Sequence, residues 1–134
     1  AGLRFAALDR ALLEAPLVGM DEVRDEIGGM WPALDRFSAQ GVGVVALRDE
    51  RVLCWCTAEY VGATSCGLGI ATAPDAQRQG VATATGAHAV AACLARGLVP
   101  HWECGRDNPA SARVAEKLGF ALAETATFWY ARLG

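Results

Sequence analysis

Between Cys66 and Cys104 the sequence changes its period twice. An apolar, strand-like run from Cys66 to Thr72 stops at Pro74, an alanine-rich helical stretch runs from about Gly80 to Arg96, and a second strand-like run follows from Val99 to Cys104. Val81, Ala84, Ala87, His88, Ala91 and Leu94 recur at helical spacing, and Gly97 is placed to stop the helix. A strand, a helix and a strand within one sheet join by a right-handed crossover, so the two strands have to run parallel. The many alanines let the helix lie close to that sheet.

The remaining elements are read around this unit. Leu3 to Leu8 is a short apolar run that suits an opening strand. From Met20 to Gln40 the pattern is helical: Asp21, Glu22, Asp25 and Glu26 suit first turns, Gly28-Gly29 would end one helix, and Trp31, Leu34 and Phe37 recur on a second. Those acids read first as a solvated helix face, and alternatively as an acidic wall for a cationic amine. Val42 to Leu47 and Val52 to Tyr60 are β-rich runs joined by the polar connection Arg48 to Arg51, and with Cys66 to Thr72 they predict an antiparallel meander. Asn108-Pro109 starts a short helix through Leu118, and Phe120 to Ala123 with Phe128 to Arg132 predict a closing strand pair. The fold class is therefore α/β: a mixed, mostly antiparallel central sheet with one parallel pair, flanked by helices.

Composition narrows the partners. A chain of 134 residues, 53% of them hydrophobic, is most simply one domain with a real core. No uninterrupted apolar span is long enough to cross a bilayer. A net charge of -3 gives no general attraction to nucleic acid or to an acidic membrane surface. Five cysteines, an odd number without regular spacing, fit a reduced cytoplasmic setting better than a disulfide framework. Cys54 and Cys56 flank Trp55 in a strand, not a turn, and His88 and His101 are the only imidazoles, so no metal site is expected. No signal peptide is visible, and a start at Ala1 fits a processed chain or a piece of a longer one. The apolar closing strand pair is compatible with a homodimer.

The junction Ala73 to Thr83 is where a ligand is expected. Gly80 can adopt backbone angles closed to other residues and lets a ligand approach the main chain. Just beyond it, the first-turn amides of the helix lack intrahelical partners and carry the positive end of the peptide dipoles, which suits a phosphate or pyrophosphate.

The spelling P-D-A-Q-R-Q-G-V-A-T, followed by a helix, a strand and N-P-A-S-A-R-V-A-E-K-L-G-F, resembles the GNAT superfamily of acetyl-CoA-dependent N-acetyltransferases, whose cofactor loop has the form Q/R-x-x-G-x-G/A. It is most similar to a bacterial subfamily reading G-L-x-P-x-W-x-C, N-x-x-S and A-E-K-L-G-F, here Gly97 to Cys104, Asn108 to Ser111 and Ala115 to Phe120. The resemblance runs from about Gly41 to the C-terminus, a cofactor-binding core (41–134) behind an N-terminal strand and helices (1–40). It implies that main-chain amides from Gln77 through Thr83 hold the pyrophosphate of CoA, with Arg78, Gln79, Gly80, Val81, Ala82 and Thr83 along the loop and the first helical turn. It implies that Ile70, Ala71 and Thr72 meet the pantetheine arm and acetyl carbonyl, that Asn108 holds the arm from the other side, and that Ser111 lies near the thioester sulfur. Arg106 and Arg113 are further candidates for phosphate contacts.

Acyl transfer from a thioester to an amine requires that the ammonium lose a proton, that the tetrahedral oxyanion meet a donor, and that a thiolate depart. Glu103, on the strand after the cofactor helix, is the first candidate for the base and Glu59, on the meander, the second; each also fits a surface glutamate. Many members of the resembled family carry a tyrosine where this chain has Ala115, as proton donor to the thiolate. Ser111, Tyr130, Tyr60 or water are the substitutes, or the thiolate leaves unprotonated. Cys104 reads as a small hydrophobe rather than a nucleophile, and His101 as structural or as lining the acceptor cleft. The expected activity is transfer of acetyl from acetyl-CoA to a primary amine by direct attack. Two alternatives are a catalytically weak or inactive CoA-binding, regulatory domain of the same fold, and an interaction module in which Q-R-Q-G-V-A merely opens a helix.

Overall fold

The computed structural model describes residues 3–77, 80–103, 108–122 and 128–131 of the chain. Strand β1 (Arg4–Ala7) is followed by helices α1 (Arg10–Glu14), α2 (Met20–Met30) and α3 (Leu34–Gln40). The meander comprises β2 (Gly43–Arg48), β3 (Arg51–Val61) and β4 (Ser65–Thr72). A 3-10 turn (Pro74–Ala76) leads to α4 (Val81–Ala95), and β5 (Val99–Glu103), α5 (Pro109–Lys117), β6 (Phe120–Leu122) and β7 (Phe128–Ala131) complete the order. All seven strands form one sheet in the order β1-β2-β3-β4-β5-β7-β6. Among the described strands only β4 and β5 pair in parallel, with Ser65 opposite Val99 and Leu68 opposite Trp102. The closing strands do pair with one another, and β7 is inserted between β6 and β5.

The two faces of the sheet carry different helices. On one face Cys56, Cys66 and Leu68 pack with Ala89 and Cys93 of α4 and with Ala115 of α5. On the other, Val45, Leu47 and Trp55 pack with Val23 and Ile27 of α2 and with Phe37. Side chains alternate along a strand, so Leu68 and Ile70 belong to the α4 face while Ala71 packs on the α2 side.

Two local expectations are corrected. Helix α2 does not end at Gly28-Gly29 but runs through them to Met30, because Met20, Val23 and Ile27 supply a continuous buried stripe that outweighs the glycines' poor propensity. Trp31 lies outside α3: it caps α2 in an extended conformation ahead of Pro32, and its indole Nε1 donates to the Ala58 carbonyl at 2.8 Å. Helix α1, which its spelling did not reveal, is capped by Asp9, whose carboxylate accepts from the Leu12 amide at 2.8 Å. The connection at Arg48 to Arg51 narrows to a two-residue turn in which Asp49 (φ 52°) and Glu50 (φ 62°) both adopt positive φ, the turn that matches the right-handed twist of the flanking strands.

Candidate functional site

The parallel seam is short. The described β4–β5 ladder ends at the Leu68–Trp102 pair, whereas β4 continues for four more residues still paired to β3, as far as Thr72 opposite Cys54. Gly69, Ile70, Ala71 and Thr72 therefore have one backbone edge that pairs with no other described strand. These are the positions where an extended ligand arm can add to the sheet. Ile70, Ala71 and Thr72, singled out from the sequence, all lie on this edge.

Helix α4 begins at the same end. Gly80 is its N-cap in the left-handed conformation (φ 75°), with no side-chain cap, and a Cβ built there would meet nothing within 4 Å. Gly80 thus gives the first-turn amides of Val81, Ala82 and Thr83 no side-chain cap. Val81 buries its side chain against Ala46, Leu53, Cys54 and Ala76, which seats the helix on β2 and β3, so only its amide is available to a ligand. Gln77 turns back, its Nε2 donating to the Thr72 carbonyl at 3.5 Å. Arg78, Gln79, Cys104 and Arg106 lie outside the described residues.

Across the opening, Asn108 is the N-cap of α5, its Oδ1 accepting from the Ser111 amide at 3.2 Å. Ser111 is buried, and its Oγ accepts from the Trp102 indole at 3.0 Å, which ties α5 to the last residue of the seam. Ala115 is fully buried. The backbone of Glu103 pairs with Phe128 just past the seam.

The other candidate carboxylate is placed by an irregularity. The register of β3 on β4 passes from Ala58–Leu68 directly to Tyr60–Gly67, so Glu59 is an extra residue, a β-bulge. A Cβ built on Gly69 would lie 2.9 Å from Glu59 Oε1. The half-buried Glu59 carboxylate thus lies over the first residue of β4 beyond the seam. The same face carries Trp55, whose indole donates to the Glu26 carboxylate. Of the four acids of α2, Glu26 is engaged in this way, Asp21 pairs with Arg24, and Asp21, Glu22 and Asp25 are exposed, as a solvated face requires.

Cys54, Cys56, Cys66 and Cys93 are buried and free, with Cys66 and Cys93 in thiol contact at 3.0 Å. Burial pushes the Cys54 thiol up and the Cys56 thiol well up from the ordinary value. Among the described residues no three His, Cys, Asp or Glu side chains group to hold a metal ion, and no helix is long and apolar enough to cross a membrane.

A mixed sheet opened at one parallel seam, with the bare amides of a helix facing the opening, is the architecture of GNAT acetyltransferases. The sequence model of that family, described as GNAT acetyltransferase, matches residues 1–128, and the chain belongs to it. It is 29% identical over 100 residues to the uncharacterized N-acetyltransferase YdfB of Bacillus subtilis (strain 168), covering 75% of this chain and 38% of that protein. The GCN5-related N-acetyltransferase-like protein of Streptococcus suis 89/1591 superposes with a TM-score of 0.79 at 29% identity, over 97% of this chain and 50% of that one. The chain thus spans half or less of the length of both relatives. A GNAT family acetyltransferase from Elizabethkingia anophelis, solved with acetyl-CoA bound, shares the fold with a TM-score of 0.67 at 12% identity, over 92% of this chain and 78% of that one.

Proposed function

We propose that this chain forms the cofactor-binding core of an N-acetyltransferase that moves acetyl from acetyl-CoA to a primary amine. The observation that carries the reading is the coincidence, at one end of the sheet, of an α4 N-terminus that Gly80 leaves without a side-chain cap and an edge of β4 beyond Leu68 that pairs with no other described strand. The pyrophosphate sits on the amides of Gly80, Val81, Ala82 and Thr83, flanked by Gln77, Arg78 and Gln79. The pantetheine arm follows Ile70, Ala71 and Thr72, with Asn108 opposite. This division matches the ligand's chemistry: charge meets the positive end of a helix, and amides meet a strand edge.

Glu59 takes precedence over Glu103 as the base, because its carboxylate lies over Gly69, where the thioester end of the arm arrives. The incoming ammonium gives its proton to that carboxylate, and the amine nitrogen then attacks the acetyl carbon. A main-chain amide of β4 receives the oxyanion; the C–S bond breaks as the C–N bond is kept, the sulfur leaves as the CoA thiolate, and the nitrogen's second proton is lost to water, from which the thiolate can take one up. Ala115 offers no proton to the departing sulfur. Ser111, whose hydroxyl is held by Trp102, positions α5 beside the arm. The setting is a reduced cytoplasm, consistent with the buried thiols.

Calorimetric titration with acetyl-CoA tests the notch. Gly80→Asp replaces an open, left-handed glycine with an anion aimed at a diphosphate, and at least a hundredfold loss of affinity is expected. Unchanged affinity refutes the placement. Thiol release over a panel of primary amines separates an acetyltransferase from a CoA-binding domain without turnover.

A further inference from the structure

In a regular strand Glu59 and Tyr60, being consecutive, would point to opposite faces. Here both lie over β4 on the α2 side of the sheet. A Cβ on Gly67 would fall 2.3 Å from Tyr60 Cε2 and 2.9 Å from Cζ, while a Cβ on Gly69 would meet Glu59 Oε1, and residues 67 and 69 share one face. The bulge makes this possible, and its displaced backbone is held by the Trp31 indole on the Ala58 carbonyl. The two glycines leave room for the side chains above them; a glycine inside a strand commonly marks such an approach.

Two contacts among the described residues hold the Tyr60 ring. Its inner side rests on the backbone of Gly67, and its Oη reaches across the seam to Nδ1 of His101, the residue paired with Gly67 on β5, at 3.4 Å. The residue nevertheless remains 41% exposed. An aromatic ring held over a sheet, partly open to solvent and one residue from a carboxylate, supplies both attractions that an alkylammonium group needs: a π system and a formal negative charge.

We propose that Tyr60 and Glu59 form the acceptor subsite, taking the protonated head of an aliphatic primary amine, with His101 as a positioning residue that holds the phenol across the seam. The inference rests on the acetyltransferase reading for the fate of the bound amine, but not for its binding. Glu59 lies at the opening and Tyr60 one step back over the closed seam. The ammonium is therefore received beside the ring and delivered to the carboxylate next to the thioester.

The test uses butylammonium chloride as the probe. In the wild-type chain loaded with CoA, titration should shift the Tyr60 ring resonances in NMR spectra saturably, whereas the uncharged isostere 1-pentanol should not. Tyr60→Leu, which lacks that reporter ring, should raise KM for butylamine about tenfold, with acetyl-CoA affinity unchanged. Tyr60→Phe, which keeps the ring but loses the tether, should raise KM less than Tyr60→Leu. The proposal is overturned if pentanol and butylammonium perturb the ring alike, if neither does, or if Tyr60→Leu leaves KM at its wild-type value. Should acetyl-CoA bind while no amine is turned over, the acetyltransferase reading fails, and the butylammonium titration alone decides the subsite.

Discussion

Adding one methyl group to Gly69 separates the role of Glu59 from the stability of the fold. The new Cβ would lie 2.9 Å from Glu59 Oε1, so the carboxylate has to retreat by about 0.5 Å to reach ordinary contact. The obstructing atom is the far end of a flexible side chain, and the fold can accommodate it within about 1 kcal/mol. Catalysis is less tolerant, since displacements approaching 1 Å cost about a hundredfold. Gly69→Ala should therefore lower kcat by about ten- to a hundredfold, equivalent to about 1.4–2.7 kcal/mol of barrier, while the melting temperature and acetyl-CoA affinity stay close to wild type. Glu59→Gln sets the lower limit, with an expected loss of about 10²–10⁴. The assay is thiol release at saturating amine and acetyl-CoA, with calorimetry on the same preparations. A Gly69→Ala chain with wild-type kcat would refute the placement of the base, and the assignment would pass to Glu103.

Two further expectations concern the core behind the site. Ser111→Ala leaves the buried Trp102 indole without its acceptor and should destabilise the chain by about 1–3 kcal/mol in urea denaturation, with acetyl-CoA affinity falling less than threefold in the folded protein. The buried thiols give a pH dependence: Cys54 and Cys56 keep their protons in the folded chain above the ordinary value of 9.0, at which the unfolded chain releases them. The folded state then binds more protons, so stability is level below that pH and falls as pH rises through it. Denaturation at pH 7.5 and 9.5 should show this decline, and Cys56→Val should reduce it.

The strand-helix-strand unit was legible because each of its boundaries is written in residues with one physical meaning: Pro74 and Gly97 as stops, and alanines at helical spacing between them. The pairing of β4 with β5 follows from handedness alone, and with it the opening at the end of the seam. Where reading by residue type failed, a tertiary contact had overruled local propensity. Gly28-Gly29 spells an end to α2, yet three buried side chains on the same helix hold it through to Met30. The insertion of β7 between β5 and β6 had no local signal, because nothing in Phe128 to Arg132 distinguishes a neighbour of β6 from a neighbour of both.

The site residues divide along the same line. Ile70 to Thr72 and Gly80 to Thr83 are proposed to act through main-chain groups, and backbone geometry follows from element boundaries, which spelling reveals. Glu59 and Tyr60 are proposed to act through side chains, whose direction depends on register, and one extra residue in β3 puts Tyr60 on the face opposite to the one that period-two counting assigns. The trace that could have revealed it lies on the neighbouring strand: Gly67 and Gly69, two apart in an otherwise apolar run, leave one face of β4 bare for two residues. A strand gives up side chains on one face at a cost in packing and backbone entropy, so such a pair implies that a neighbour occupies the space. In this sheet the neighbour is the bulged segment of β3. The same two glycines that weaken β4 locally therefore make room for a carboxylate and an aromatic ring at the end of the β4–β5 seam.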